Sequence, residues 1–198
     1  MLVYLDANIV QYLADDSDII FRCKAPARVP PVKLKAELLA LGDVIELAIR
    51  TEQQDLDRRW DIAAPQHLLG ELLRGRPTFE QRETYQLLRE AWHELGVERH
   101  PAPDVDAVIA ADKRLLSLKL SDPPDRRHLA EAVAIGAAWF LTLDRDILDK
   151  TRQKEEPSEP GRIGSAMVAR PSELRARMRF DPVLGLTLAP RGAGEPDR

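Results

Sequence analysis

The chain has 198 residues, and its 29 Lys and Arg against 33 Asp and Glu give a formal net charge of −4 at pH 7. Its single cysteine excludes an intramolecular disulfide and a thiolate zinc site within one chain, and favours a reducing, cytoplasmic compartment. No apolar run approaches the roughly 18 residues of a membrane-spanning segment, so no membrane association is expected. The slight acid excess gives no global signature of nucleic-acid binding.

The first predicted element is a buried strand at Leu2–Leu5, which ends at Asp6 and is typical of a parallel sheet. A short helix is predicted over the following IVQYLA segment. Residues 19–36 are predicted to form an insertion, either a loop or a helical hairpin, because three prolines interrupt regular structure. Its basic residues, with no acid among them, are Arg22, Lys24, Arg28, Lys33 and Lys35. An amphipathic helix is predicted from Leu34 to Arg50.

The middle of the chain predicts one strand and several helices. The strand is Trp60–Ala63, and the helical turn that follows it carries Glu71. A capping box and a glycine stop mark a further helix over residues 78–96. Another helix is predicted to begin at Asp104 or Asp106. Its predicted inward-facing residues are Val105, Val108, Ile109, Leu115 and Leu116.

The C-terminal half contains the clearest helix start and the clearest strand. The segment SDPPD begins a helix, with Asp122 as the N-cap and Asp125 in the first turn. The strongest strand signal is Trp139–Leu143, and Asp144 follows it directly. A last strand is predicted at Met167–Ala169, followed by a helix at Pro171–Met178.

Strands alternate with helices along the chain, which predicts an α/β domain with a central parallel sheet. Residues 155–161 are predicted to be a polar loop between the last two elements of the sheet. We expect residues 1–178 to form one domain and residues 179–198, rich in Pro and Gly, to form a C-terminal tail. The Gly-rich loops of common nucleotide-binding folds are absent from the sequence.

Four carboxylates occupy informative places in this order of elements. Asp6 and Asp144 directly follow predicted strands, where sites form in open parallel sheets, and Glu71 and Asp125 lie on flanking helices. Two carboxylates about 4 Å apart repel by roughly 4 kcal/mol at an effective dielectric near 20, so their convergence calls for a cation. Oxygen ligands without a Cys or His cluster favour Mg²⁺ or Mn²⁺. Such a site suits the hydrolysis of phosphodiester bonds.

Four sequence segments together resemble the PIN-domain nucleases, in particular their toxin-type ribonucleases. The segments are VYLDANIV, HLLGELL, DRRHLAEAVAIGAAWFLTLDRDIL and VARPSEL, and the resemblance covers roughly Met1 to Leu174. It implies a three-layer α/β/α fold with a central parallel sheet. It also implies a Mg²⁺- or Mn²⁺-dependent endoribonuclease that leaves 5′-phosphate and 3′-hydroxyl ends.

The resemblance assigns roles residue by residue. The catalytic and metal-binding acids are implied to be Asp6, Glu71, Asp125 and Asp144, and Asp146 matches a further acid near the metal. Asn8 and Thr142 match polar positions around the site. Many small bacterial members are toxins held by an antitoxin protein, so the implied partners are RNA, an antitoxin and, for some members, a second copy of the chain. The chain departs from compact members of the family in two places. It has a long segment after Asp15, and Ala7 is the residue that follows the first acid.

Simpler interpretations of these residues stay open at the level of sequence. Asp6 is equally suited to capping a helix, and Asp144 is equally suited to stabilising a turn. Asp122 is an alternative to Asp125 as the third acid of the site. His128 lies on the same helix face as Asp125, where it either orients a carboxylate or is simply a partly buried residue. The basic residues of the insertion suit either a phosphate backbone or a solvated surface.

Two other functions compete with the nuclease. The first is a catalytically silent PIN-like module that binds RNA or a protein. The second is a magnesium-dependent phosphatase with Asp6 as nucleophile, which is less favoured because Asp6-Ala7-Asn8 lacks the Asp-x-Asp pattern of such enzymes.

Overall fold

Strand β1 (Leu2–Leu5) is paired along both edges within a five-stranded sheet in the computed structural model, which describes residues 1–20, 29–53, 60–64, 104–152 and 159–178. The other strands are β2 (Asp61–Ala63), β3 (Trp139–Leu141), β4 (Gly161–Ile163) and β5 (Ala166–Ala169). Their order is β2–β1–β3–β5–β4. Strands β2, β1, β3 and β5 are mutually parallel, whereas β4 runs antiparallel to β5.

Helices precede and follow these strands in the same described segments. Between β1 and β2 lie α1 (Ala7–Asp15), α2 (Ser17–Ile20) and α3 (Val32–Gln53). Before β3 lie α4 (Val105–Ala111), α5 (Lys113–Ser117) and α6 (Pro123–Ala134). After β3 comes α7 (Arg145–Thr151), and α8 (Pro171–Arg177) follows β5.

Two hydrophobic clusters cover opposite faces of the sheet, because successive side chains of a strand alternate between its faces. Val3 and Leu5 of β1 pack into one cluster with apolar residues of α1, α2, α3 and α8. Tyr4 packs into the other cluster, stacked on Phe140 with ring centroids 5.5 Å apart, together with residues of α4 to α7. Helices therefore cover both faces of a mostly parallel sheet, an arrangement compatible with a three-layer α/β/α fold.

The strand order reverses between β1 and β3, and the region at the carboxyl ends of these two strands is called the crevice here. From β1 the chain passes to β2 on one side, and it later returns to place β3 on the other side of β1. The backbone N–H of Asp6, directly after β1, donates to the carbonyl of Leu141 in β3 at 3.0 Å. In open α/β sheets, ligand sites form at such a reversal of strand order, outside the carboxyl ends of the strands.

Several sequence predictions are confirmed at the level of elements. The predicted strands at the positions of β1, β2, β3 and β5 are present, as are the helices at α1, α3, α6 and α8. Helix α4 begins after Asp104 rather than Asp106, because the Asp104 carboxylate accepts a hydrogen bond from the backbone N–H of Ala107 at 3.1 Å. The predicted α/β class with a central, mostly parallel sheet is therefore confirmed.

Two sequence predictions are wrong. The helix predicted through Leu116 is broken at Asp112, whose carboxylate caps α5 by accepting from the backbone N–H groups of Arg114 and Leu115. This break turns Leu116 outward to 52% exposure, although it was predicted to face the core. The predicted polar loop at 155–161 ends one residue too late, because Gly161 already begins strand β4.

Some predictions fall outside the described residues. They concern the helical turn that carries Glu71, the helix over 78–96, residues 21–28 of the insertion, residues 153–158 and the tail at 179–198. Among the helices that the structure describes, none combines the length and apolar character needed to cross a membrane.

Candidate functional site

Asp6 is the most buried acid at the crevice, with 2% of its surface exposed. It occupies the N-cap position of α1, yet its side chain makes no capping hydrogen bond. Its Oδ2 instead accepts hydrogen bonds from Asn8 Nδ2 and from Thr142 Oγ1, both at 2.7 Å. The interpretation of Asp6 as a simple helix cap is therefore wrong, since its carboxylate is directed into a polar network.

Thr142 joins the ends of β1 and β3 through this network. Its fully buried hydroxyl donates to Asp6 and accepts from Asn8 Nδ2 and from the backbone N–H of Asp144, both at 3.0 Å. Asn8 Oδ1 accepts from the backbone N–H of Leu143 at 3.1 Å. One donor and two acceptors exhaust the capacity of a hydroxyl, so Thr142 is held in a single orientation.

His128 contacts the other oxygen of Asp6 from helix α6. Its Nδ1 lies 3.2 Å from Asp6 Oδ1, and the ring is 4% exposed. Because an ionised carboxylate can only accept, this contact is a hydrogen bond when Nδ1 carries the ring hydrogen. Burial disfavours the charged ring, but the hydrogen bond and charge of Asp6 outweigh it and raise the pKa of His128.

Asp125, in the first turn of α6, is electrostatically coupled to the same cluster. Burial is the largest of the causes that together raise the pKa of its carboxyl from 3.8 to about 6, and the charges of Asp6, Asp144 and Asp122 act in the same direction. Within the described segments, no hydrogen bond reaches the Asp125 carboxylate. The structure thus brings Asp6, Asp125 and Asp144 into one neighbourhood where they repel one another.

Asp144 follows β3 and caps helix α7. Its Oδ1 accepts from the backbone N–H groups of Asp146 at 2.6 Å and of Ile147 at 3.2 Å. In the described part of the chain, Oδ2 accepts no hydrogen bond. The interpretation that Asp144 stabilises a local turn is therefore correct for Oδ1. Oδ2 is available to another ligand.

Asp146 contacts Ser121 and Lys150 rather than the other acids of the crevice. Its Oδ2 accepts from the backbone N–H and the hydroxyl of Ser121 at 2.8 and 2.9 Å, and its Oδ1 lies 2.7 Å from Lys150 Nζ. The hydrogen bond from Lys150 lowers the pKa of Asp146, and the contacts with Ser121 act in the same direction. Both oxygens are engaged by these partners, so a role at a metal stays a prediction for Asp146.

The remaining predicted residues divide between described and undescribed parts of the chain. Glu71 and the basic residues Arg22, Lys24 and Arg28 lie outside the described residues. Lys33 and Lys35 are exposed in the first turn of α3.

A divalent cation fits the chemistry of the donors at the crevice. Asp6, Asp125 and Asp144 offer carboxylate oxygens, which Mg²⁺ and Mn²⁺ prefer. A cation would offset the repulsion that adds to the effect of burial on the pKa of Asp125. In the described ranges, however, no three acidic, His or Cys side chains stand close enough together to hold a metal ion as they are. Glu71, the fourth predicted ligand, lies outside those ranges.

Comparisons with known proteins give no match to this chain. Neither a protein-family model, nor a curated protein, nor a solved structure matches it. Its function is therefore inferred from the sequence motifs and from the geometry of the crevice.

The contact between His128 and Asp6 was not foreseen from the sequence. The spacing of three residues from Asp125 placed His128 near a carboxylate, but its hydrogen bond is to Asp6, 122 positions earlier in the chain. The available signal was a histidine on the buried stripe of α6, one residue before Leu129, which is fully buried.

We expect Asp125→Asn to stabilise the protein at neutral pH. Because the folded state raises the pKa of this carboxyl to about 6, its contribution to stability falls as pH rises from 3.8 through 6. The shift corresponds to under 3 kcal/mol, and solvent screening of this half-buried group reduces it to about 1 kcal/mol. Urea unfolding at pH 7.5 should show this gain, and at pH 3.5 the gain should vanish.

Asp149→Asn is the matched control for this measurement. Asp149 is an exposed acid on α7, so its replacement should change the free energy of unfolding by less than about 0.5 kcal/mol at either pH. A gain of equal size for Asp125→Asn at pH 3.5 and pH 7.5 would contradict the electrostatic explanation.

Proposed function

We propose that the chain is a PIN-like, Mg²⁺- or Mn²⁺-dependent endoribonuclease. One observation carries the proposal: the hydroxyl of Thr142 joins the buried carboxylate of Asp6 to the backbone of Asp144 at the carboxyl ends of β1 and β3. Asp125 faces the same acids, and burial together with their charges raises its pKa to about 6. Carboxyl groups with strongly shifted pKa values in a crevice are typical of functional sites. The four sequence segments that resemble PIN-domain nucleases indicate which reaction to propose, the hydrolysis of RNA phosphodiester bonds.

The crevice residues divide into ligands and supports. Asp6, Asp125 and Asp144 would hold the cation, and Glu71 is proposed as the fourth acid. A bound cation would supply activation of water and neutralisation of the charge that develops on the phosphate. Asn8 and Thr142 would keep Asp6 in one orientation, as their hydrogen bonds do in the structure.

The RNA substrate is proposed from the resemblance and from local positive charge. Lys33 and Lys35 are exposed, and together with Arg22, Lys24 and Arg28 they are the proposed contacts to the phosphate backbone. A role as the toxin of a toxin–antitoxin pair, with an antitoxin protein as partner and a homodimer as the assembly, belongs to the same proposal.

A silent RNA- or protein-binding module is the second candidate. It is favoured by the state of Asp6, whose two oxygens already accept hydrogen bonds from Asn8, Thr142 and His128. A carboxylate that is satisfied inside the protein can be retained for structure alone.

Cleavage of labelled RNA separates the two candidates. We expect the protein to cut single-stranded or structured RNA internally in the presence of Mg²⁺ or Mn²⁺, leaving 5′-phosphate ends, and to stop when EDTA is added. Retained RNA binding without cleavage under any of these metal conditions would favour the silent module. Cleavage that continues in EDTA would contradict the metal-dependent mechanism.

A further inference from the structure

We propose that His128 is a positioning residue that fixes the carboxylate of Asp6 by donating a hydrogen bond from Nδ1 to Oδ1. The proposal rests on the proposed function in one respect, because the held carboxylate is the one proposed to bind the cation. It goes further in assigning His128 to the carboxylate of Asp6, whereas the sequence placed it near Asp125 and left its role open.

The geometry of Asp6 shows what His128 adds. Asn8 and Thr142 both bond to Oδ2, at 2.7 Å each, and they leave Oδ1 unrestrained. His128 Nδ1 reaches Oδ1 at 3.2 Å from helix α6. Donors on both oxygens prevent rotation about the bond between Cβ and the carboxyl carbon, so the plane of the carboxylate is fixed.

The setting of the ring supports a polar task rather than simple packing. His128 is 4% exposed, and burying an imidazole without partners is unfavourable. Acids face it from the end of β1 and from its own helix: Asp6, Glu131 and Asp125 each favour the protonated ring. The donor on Nδ1 is present whether the ring is neutral in that tautomer or charged, so the assignment does not require a change of protonation.

Glu131 is itself held in place from the sheet. The hydroxyl of Tyr4, a residue of β1 with 1% exposure, donates to Glu131 Oε2 at 2.6 Å. Residues 128 and 131 are three positions apart and share one face of α6. Tyr4 in β1 and Asp6 directly after it thus contact the same face of α6, which sets the position of α6 and of His128 relative to the site.

The effect on metal binding of a residue that holds a metal ligand by a hydrogen bond is known in magnitude. Loss of such a partner lowers metal affinity or activity by about 10- to 100-fold. We therefore expect His128→Leu, which removes the donor and keeps an apolar side chain, to weaken Mn²⁺ binding within that range. His128→Asn places an amide N–H donor near the former Nδ1 and should restore affinity to within about threefold of the original protein.

The experiment combines metal binding, kinetics and NMR on the full chain. Mn²⁺ titration by calorimetry gives the dissociation constant for the original protein, His128→Leu and His128→Asn, and RNA cleavage gives kcat and KM. We expect kcat to fall in His128→Leu with KM for RNA unchanged, and we expect recovery in His128→Asn. Circular dichroism and thermal unfolding confirm that each variant is folded.

The ¹⁵N spectrum of the His128 ring tests the hydrogen bond without metal or RNA. We expect Nδ1 to carry hydrogen in the original protein, and a neutral ring protonated at Nε2 alone would overturn the proposal. Equal Mn²⁺ affinity and kcat in folded His128→Leu would also overturn it. If the original protein neither binds Mn²⁺ nor cleaves RNA, the proposed nuclease fails, and the ring spectrum still decides the role of His128.

Discussion

Asp144→Asn should lower the rate constant of metal-dependent RNA cleavage by about 10²- to 10³-fold while the protein stays folded. This loss corresponds to roughly 3–4 kcal/mol of transition-state stabilisation, the several kcal/mol expected when a charged metal ligand is removed. Asn keeps an oxygen that can accept from the backbone N–H groups of Asp146 and Ile147, so the cap of α7 survives. The substitution therefore removes charge from the crevice with little change in local structure.

The same measurement requires a variant that changes charge away from the crevice. Asp149→Asn removes one acid from the same helix, α7, at an exposed position, and should leave the cleavage rate within about twofold of the original. Asp6→Asn should lower the cleavage rate at least as strongly as Asp144→Asn does. Equal cleavage by the original protein and by both crevice variants would show that these acids are not the site.

The sheet and the positions of three acids could be predicted because they depend on short-range patterns. The apolar runs at β1 and β3 are bounded by acids, and Pro123 after Asp122 marks the start of α6. Once parallel strands are assigned, their carboxyl ends share one edge of the sheet. That topology places Asp6 and Asp144 together without any knowledge of side-chain conformation.

Other features depend on contacts that the local sequence does not specify. Strand β4 has the sequence Gly-Arg-Ile, which is too short to show an alternating pattern. It is stabilised by its pairing with β5 and by the side chain of Ile163, which is buried in the hydrophobic cluster on one face of the sheet. The break at Asp112 reflects competition between its side chain and the backbone for N–H groups, which outweighed the apolar spacing through Leu116.

The same limit applies inside the candidate site. The sequence indicated acids and two polar neighbours, but not which atoms they bond to. His128 reaches Asp6 only because α6 packs across β1, a long-range arrangement for which periodicity carries no signal. Residues whose role is set by tertiary packing are therefore the ones that sequence reasoning leaves without a role.

Thr142→Val should lower the free energy of unfolding by about 3 kcal/mol, although the two side chains have nearly the same shape. The hydroxyl of Thr142 is fully buried and makes three hydrogen bonds, with Asp6, Asn8 and Asp144. Removing it leaves polar groups of the crevice without partners, and each buried group left unsatisfied costs about 1–3 kcal/mol. Relaxation of Asn8, which is partly exposed, offsets part of this loss.

Thr142→Ser distinguishes the contribution of the hydroxyl to the free energy of unfolding from that of the methyl group. Serine retains the hydrogen bonds and loses one buried methyl, so we expect a loss of about 1 kcal/mol, measured by urea unfolding beside Thr142→Val. Equal losses for the two variants would assign the effect to packing and contradict the network. A larger loss for valine would mean that the hydrogen bonds which orient Asp6 also hold the ends of β1 and β3 together, so that assembly of the candidate site and stability of the sheet depend on the same hydroxyl.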